Sequence, residues 1–433
     1  MVESHKLSRR TAFTIYLISL AGNIAWAVEN QFYNVYLYNE IAPVPLYVSL
    51  MVAITAVMST VTAIVMGAVS DVKGKRRFYM IFGFIFWTFT TAMFPFAALI
   101  RPVIMAVIMA IIFDCIMTYF GATAYDAAFI AYITDTTTVE NRGRAIGILE
   151  ITTLTSTLII YGASGFIVLA FGYYFFFIMI GIVTGVFGVL GAYLVKDPDN
   201  LKPLDVSVSR HIKSSFNREM LKGNRDCFVL LIGIGIFAVG FNVYFPFILI
   251  YLQHHIGLSL EFASLVVFIA LMVSIILGIP IGILTDRIGR KKVAIVSLVC
   301  ESISLCLYAI AQDLIFLIIT GILWVLFMSS WHISAQTWIK DLYPPEKFGQ
   351  FSGYYLIFNV LIGMIVGPII GGLVATQYGR PIIVDGIPGN VPPPLIYIVG
   401  AIIILFALIP VLMAKEKNRE IIEPESKIIN EAP

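Results

Sequence analysis

The sequence predicts an all-α integral membrane protein of twelve transmembrane helices in two pseudo-symmetric six-helix bundles, and three observations predict it. Of 433 residues, 59% are hydrophobic and only 12% are charged, against roughly 25% charged in a soluble domain. Apolar runs long enough to cross a bilayer, which takes about 20 residues, recur twelve times. A charged loop is also written twice: Gly67, Asp71, Gly74, Lys75, Arg76 and Arg77 return 215 positions later as Gly282, Asp286, Gly289, Arg290, Lys291 and Lys292. Asp135, Glu140, Gly143 and Gly147 return likewise, 206 positions on, as Asp341, Glu346, Gly349 and Gly353. A period of about half the chain points to duplicated bundles rather than a short-period solenoid.

The runs cover 12–38, 47–69, 78–100, 102–133, 145–171 and 173–195, then 228–252, 262–284, 293–311, 314–339, 351–375 and 395–414. Barrel strands are about half this length and alternate in polarity, so helices are the spanning element. The first run follows basic residues as a signal peptide would, but it is too long for an h-region and lacks a small-residue cleavage site; it reads as a retained helix. Counting loops from a cytoplasmic N-terminus, 26 of the 28 Lys and Arg residues fall inside, leaving only Arg101 and Arg380 outside. The positive-inside rule then puts both termini in the cytoplasm of a multi-pass cell-membrane protein.

The apolar pattern stops between residues 196 and 226, a basic stretch read as a cytoplasmic linker. It separates an N-terminal half, 1–195, from a C-terminal half, 227–414, and a charged cytoplasmic tail occupies 415–433. The outside loop 376–394, rich in Gly and Pro, reads as an irregular turn or small lid. Cys115, Cys227, Cys300 and Cys306 have no metal-ligand spacing and read as small hydrophobes. No glycine-rich phosphate loop, His-Glu-x-x-His or Gly-x-Ser-x-Gly is present. Neither an enzyme, a cofactor nor nucleic acid is expected; the partners expected are a small-molecule substrate, protons or Na+, and the lipid bilayer.

Twelve spans in two halves, with a Gly-x-x-x-Asp-Arg-x-Gly-Arg-Lys loop after the second span of a half, resemble the major facilitator superfamily over nearly the whole chain. The copy from Gly282 to Lys291 matches the signature loop in full, including Arg287; in the first copy Val72 replaces the usual arginine. The resemblance implies the major facilitator fold, alternating access and a gating role for Gly67, Asp71, Gly74, Arg76, Gly282, Asp286, Arg287, Gly289 and Arg290. Physically, an acid near a helix end can meet a facing helix N-terminus, and the basic cluster can pair across the half interface, in one state only. Gly22, Asn23, Trp26, Gly349, Gln350, Gly353, Asn359, Gly367 and Pro368 are loosely similar to cation-coupled glycoside and disaccharide symporters.

No Lys or Arg lies within any apolar run, yet Glu29, Asp114, Asp126, Glu150 and Glu301 do. An ionisable residue at membrane depth is by default a candidate for an ion or substrate path. Asp126 lies nine residues before Asp135 and Glu150 eight after Arg142, so both sit roughly 12 to 14 Å above the ends of antiparallel helices and can be neighbours. The 206-residue offset maps Asp126 onto His332, and the resemblance lines the central cavity with the fourth and tenth spans. A carboxyl beside another acid at low dielectric, or a histidine, can exchange protons near neutral pH; Asp126, Glu150 and His332 are the candidates for proton coupling. Glu29 sits in a polar cluster with Asn30, Gln31, Tyr33 and Asn34 and is expected to line the cavity. Trp26, Asn30, Tyr36, Asn242, Tyr244, Trp331, Gln336 and Asn359 are candidate partners for a hydroxylated solute, since aromatic faces stack on sugars and amides take hydroxyls. Asp114 is placed nearer the outer surface, and Glu301 is expected to be structurally paired.

The expectation is a secondary active transporter, functional as a monomer, coupling a sugar-like solute to protons in symport. The competing expectation is a proton-coupled antiporter exporting amphipathic or cationic compounds. A non-transporting membrane receptor that kept the fold is a third reading; it predicts binding without turnover.

Overall fold

In the computed structural model, residues 7–197, 201, 203–215, 223–343 and 348–416 are described, and almost all of them are helical. Among the described residues, eleven helices are long and apolar enough to cross a membrane. One of them, Asn141–Leu194, runs for 54 residues, which at about 1.5 Å per residue far exceeds a hydrocarbon core of roughly 30 Å. Gly172 breaks it with φ 78° and ψ 169°, a conformation open to glycine alone, so 139–171 and 173–194 are the fifth and sixth spans. The others are Arg9–Ile41, Pro45–Lys73, Arg77–Leu99 and Val103–Thr136, then Arg225–His254, Leu260–Ile288, Arg290–Ala309, Leu314–Leu342, Gly353–Tyr378 and Leu395–Met413. They make up the expected twelve.

Helix ends follow local chemistry. Ser8 and Asp313 accept the Thr11 and Phe316 amides at 3.0 and 2.8 Å, satisfying first-turn donors. The second span stops at Gly74, left-handed at φ 62°. Lys291 Nζ donates to the Leu412 and Ala414 carbonyls, both at 2.7 Å, capping the last span with a cation where the helix dipole favours one.

Three spans widen locally into π-helix: Glu29–Tyr33 and Leu37–Ile41 in the first, Ala122–Phe129 in the fourth and Ile357–Ile362 in the eleventh. Such insertions re-aim side chains and recur at functional sites. The seventh span tightens to a 3₁₀ turn at Phe245–Phe247, around Pro246.

The loop expected to be an irregular turn or lid is an ordered hairpin. Strands β1 (Arg380–Val384) and β2 (Ile387–Val391) pair antiparallel through Asp385 and Gly386, both at positive φ, 50° and 79°. Asp-Gly between β-branched runs is a two-residue hairpin signal; Pro392 to Pro394 only follow it. This hairpin end of the molecule joins the two bundles. The Tyr38 hydroxyl donates to the Asn390 carbonyl at 2.8 Å, the Asn390 amide donates to Pro43 O at 3.0 Å, and Asn39 meets His254 at 2.8 Å and Gln253 at 3.3 Å.

Small residues bring helices close, as van der Waals packing in a membrane requires. A Cβ added to Gly363 or Gly367 would fall 2.6 Å from the Ala238 Cβ and 2.5 Å from the Val239 carbonyl, so the eleventh span packs backbone-close on the seventh. Gly367→Leu should therefore destabilise the protein by about 1–3 kcal/mol through overpacking, whereas Gly147→Ala, which meets open space, should not. Thermal unfolding of both variants in detergent checks this; equal midpoints would contradict the packing assignment.

Candidate functional site

A cavity of about 350 Å³ lies between the bundles, within the size range of ligand pockets. Helical periodicity builds its walls. Asn23, Trp26, Ala27, Asn30 and Gln31 form one face of the first span, and Thr153, Thr157 and Tyr161 recur every four residues on the fifth. Trp324, Met328 and His332 do the same on the tenth, and Phe241, Phe245 and Ile248 complete the wall from the broken seventh. Ten of the seventeen lining residues are apolar, so the cavity favours an amphipathic occupant.

Several polar groups in the wall are already engaged. The Asn23 amide donates to the Tyr125 hydroxyl at 3.0 Å, the Asn30 amide to the Trp26 carbonyl at 2.8 Å, and the Gln31 amide to the Phe245 carbonyl at 2.9 Å. Gln31 Oε1 is buried with no partner among the described residues, an acceptor left for a ligand or water.

Of the sequence candidates, Trp26, Asn30 and His332 line this cavity. Tyr36, Asn242, Tyr244 and Trp331 lie behind it: the Tyr36 hydroxyl donates to Pro95 O at 2.5 Å, and the Asn242 amide donates to Ala238 O at 2.8 Å. Tyr244 packs on Trp324 and Trp331 on Phe237, at 5.6 and 5.0 Å between ring centroids. Asn242, Tyr244 and Trp331 are sequence neighbours of the lining residues Phe241, Phe245 and His332, and one step along a helix turns a side chain by about 100°. Gln336 lies one turn beyond His332 on the tenth span and is not among the lining residues, and Asn359 sits half-buried in the eleventh-span π segment.

Glu29, Asp114 and Asp126 form an acidic cluster on the other side of the first span. Thr118 Oγ1 lies 3.4 Å from Glu29 Oε1, and Glu29 interacts electrostatically with both aspartates. Asp114 is 2% exposed and keeps Oδ1 unpartnered among the described residues. Glu150 is exposed, and it shares with Asp126 an influence on the Tyr125 hydroxyl.

Arg76 and Arg290 of the two signature loops each make ion pairs within their own bundle. Arg76 pairs with Asp71 and donates from Nε to Asp135 at 2.9 Å; Arg290 pairs with Asp341 and donates to the Thr337 carbonyl at 3.1 Å. Each loop thereby reaches the end of the next-but-one span beside it, where the repeated aspartate waits. Asp71 also faces His211 Nε2 at 3.2 Å, on the linker helix Val208–Ser215, and Leu204 N donates to Val72 O at 3.0 Å. Gly74 and Gly289 hold positive φ, 62° and 105°, while Gly67 and Gly282 face open space. Arg287 is exposed; the Asp286 side chain, Glu346 and the Gln350 side chain lie outside the described residues.

The fifth-span stripe of Thr153, Thr157 and Tyr161 was absent from the expected site, although polar residues at four-residue spacing in an apolar run are a legible signal. The aromatic wall from Phe241 and Phe245 carries no such signal.

The family model of the Major Facilitator Superfamily matches residues 15–227 and 230–431. The chain is 27% identical over 205 residues to the multidrug resistance protein MdtG of Serratia proteamaculans, a match taking in 46% of each chain. It thus spans less than half the length of that curated relative. Solved structures with the same fold include the xylose transporter XylE from E. coli in an inward-open conformation, at a TM-score of 0.70 and 14% identity, covering 94% of this chain and 98% of that one. The nucleoside transporter NupG matches at a TM-score of 0.66 and 13% identity, covering 94% and 99%. With twelve spans, a central cavity between two bundles and a family match running nearly end to end, the chain belongs to the major facilitator superfamily and is a multi-pass membrane transporter rather than an enzyme.

Proposed function

We propose that this transporter exports amphipathic cationic compounds from the cell in exchange for protons, by alternating access between halves 1–195 and 227–414 joined by the linker 196–226. The observation that carries this reading is a mostly aromatic and aliphatic cavity backed by the Glu29, Asp114 and Asp126 cluster, with no Lys or Arg in any apolar run to neutralise it. An aromatic wall takes the apolar body of a solute and attracts its cationic head. Acids that hold either a proton or the solute's charge, but not both, make the two compete, and such competition is the thermodynamic basis of exchange.

The multidrug resistance relative supports this reading. Hydrogen bonds closing the hairpin end, together with the positive-inside assignment of the basic end, support a cavity facing the cytoplasm in this conformation, with both termini there. Asp126 and Glu29 are assigned the exchanged proton, Asp114 a supporting charge, and His332 and Trp26 solute contact. Asp71, Arg76 and Arg290 are assigned to conformational bias.

The second reading is proton-coupled symport of a sugar-like solute, favoured by the amides of Asn23, Asn30 and Gln31 beside the Trp26 face. Proteoliposomes enclosing a pH-sensitive dye separate the two. A cationic amphipath added outside should make the interior more alkaline as it enters and protons leave. Acidification on adding an uncharged sugar would instead establish symport, and silence with both would refute proton coupling. Asp126→Asn and Glu29→Gln should each abolish proton-driven accumulation while preserving solute exchange; unchanged accumulation in both would remove these acids from coupling. Trp26→Ala should weaken solute binding about tenfold, near 1.4 kcal/mol, and calorimetric titration in detergent checks that value.

A further inference from the structure

Away from the cavity, the C-terminal bundle buries a carboxyl group in its interior. Glu301, on the ninth span, is 0% exposed, and neither carboxylate oxygen has a hydrogen-bond partner among the described residues. Its expected structural pairing is therefore not found. Around it stand other buried polar groups without partners: the hydroxyls of Tyr244, Tyr251 and Tyr397 and the indole nitrogen of Trp324. The rings form one cluster, with centroid separations of 5.6 Å for Tyr244 and Trp324, 5.3 Å for Tyr244 and Tyr397, and 4.9 Å from Tyr397 to both Tyr251 and Tyr308. Tyr244 is the phenol directed at Glu301; Tyr308 lies two turns further along the same helix.

An ionised carboxylate sealed in such a place, with no cation facing it, is among the most costly arrangements a membrane protein can hold. A single proton removes that cost and needs no additional space, whereas a metal ion needs several oxygen ligands and room for them. We propose that Glu301 is a second proton-binding site, in the opposite bundle from the acidic cluster and loaded in the conformation described.

The same geometry supplies its release. Tyr244 is the last residue before the 3₁₀ break at Phe245–Phe247. Phe241 and Phe245 on either side of it line the central cavity, as does Trp324. Movement of the seventh span at its break withdraws Tyr244 from its contact with Trp324 on the tenth span and admits water from the cavity. The O–H bond of Glu301 then breaks, one admitted water accepts the proton, and another donates a hydrogen bond to the carboxylate left behind. The titratable groups facing Glu301 are Tyr244 from the seventh span and, beyond it, Tyr251 from the same span, Tyr308 from its own and Tyr397 from the twelfth.

Infrared difference spectra of the full-length protein in lipid nanodiscs, recorded between acidic and alkaline buffer, test the assignment without any transport measurement. Wild type should show a protonated-carboxyl band that is lost on titration. That band should be missing in Glu301→Gln and should persist in Asp126→Asn, so the result is independent of whether Asp126 couples transport. Tyr244→Phe, which keeps the carboxyl and changes only its neighbour, should shift the band's frequency and its titration midpoint, and it serves if Glu301→Gln does not fold. An identical pH-dependent spectrum in Glu301→Gln, or a Tyr244→Phe spectrum indistinguishable from wild type, would overturn the proposal.

Discussion

A bilayer supplies neither water nor counter-ions, and the distribution of charge along this chain answers to that constraint before anything else. Every lysine and arginine lies outside the apolar runs, where an ammonium or guanidinium group stays hydrated. Five acids nevertheless remain inside. Because no buried base accompanies them, none can be settled as half of a buried ion pair with Lys or Arg. Each must instead be neutralised by a proton, a ligand or another conformation, which makes the acids the parts of the molecule sensitive to the state of the site.

The same constraint explains where the strong pairs are found. Arg76 with Asp71 and Asp135, and Arg290 with Asp341, sit at the hydrated basic end, where pairing is inexpensive to make and to break. The opposite end is held by neutral hydrogen bonds through Tyr38, Asn39 and Asn390. The hydrogen bonds contribute about 1 kcal/mol each, and the ion pairs lie within single bundles, with the Arg76 side chain only 4% exposed.

Much of the fold was legible from the sequence, because span length and charge sorting are direct physical requirements. Gly172 was placed correctly between two runs, and the repeated aspartates Asp135 and Asp341 proved to receive the loop arginines. The Asp385-Gly386 hairpin was legible in principle but outweighed by the prolines after it. Trp26, Asn30 and His332, chosen by residue type, line the cavity. Asn242, Tyr244 and Trp331 were each misplaced by a single residue, since a strongly apolar helix has little contrast between its faces and composition cannot say which residue faces inward. The proximity of Glu29 to Asp114 and Asp126 was illegible for another reason: it depends on how the first span packs against the fourth, and on π segments in both, which no spacing along either helix encodes.

That packing gives the first span a particular position in the molecule. Trp26 and Asn30 face the cavity, Glu29 faces the acidic cluster, Gln31 holds the seventh span at the Phe245 carbonyl, and Tyr38 and Asn39 close the hairpin end. In the proposed mechanism a solute leaning on Trp26 and a proton settling on Glu29 act on one helix, three residues apart, and the hairpin-end closure lies on the same helix, about two to three turns beyond. The π segments Glu29–Tyr33 and Leu37–Ile41 lie between these functions, and each extra residue in a turn is a place where rotation is absorbed at low cost. Coupling among solute, proton and gate then needs no long pathway. It needs one helix whose faces are assigned to different partners and whose rotation cannot satisfy all of them at once.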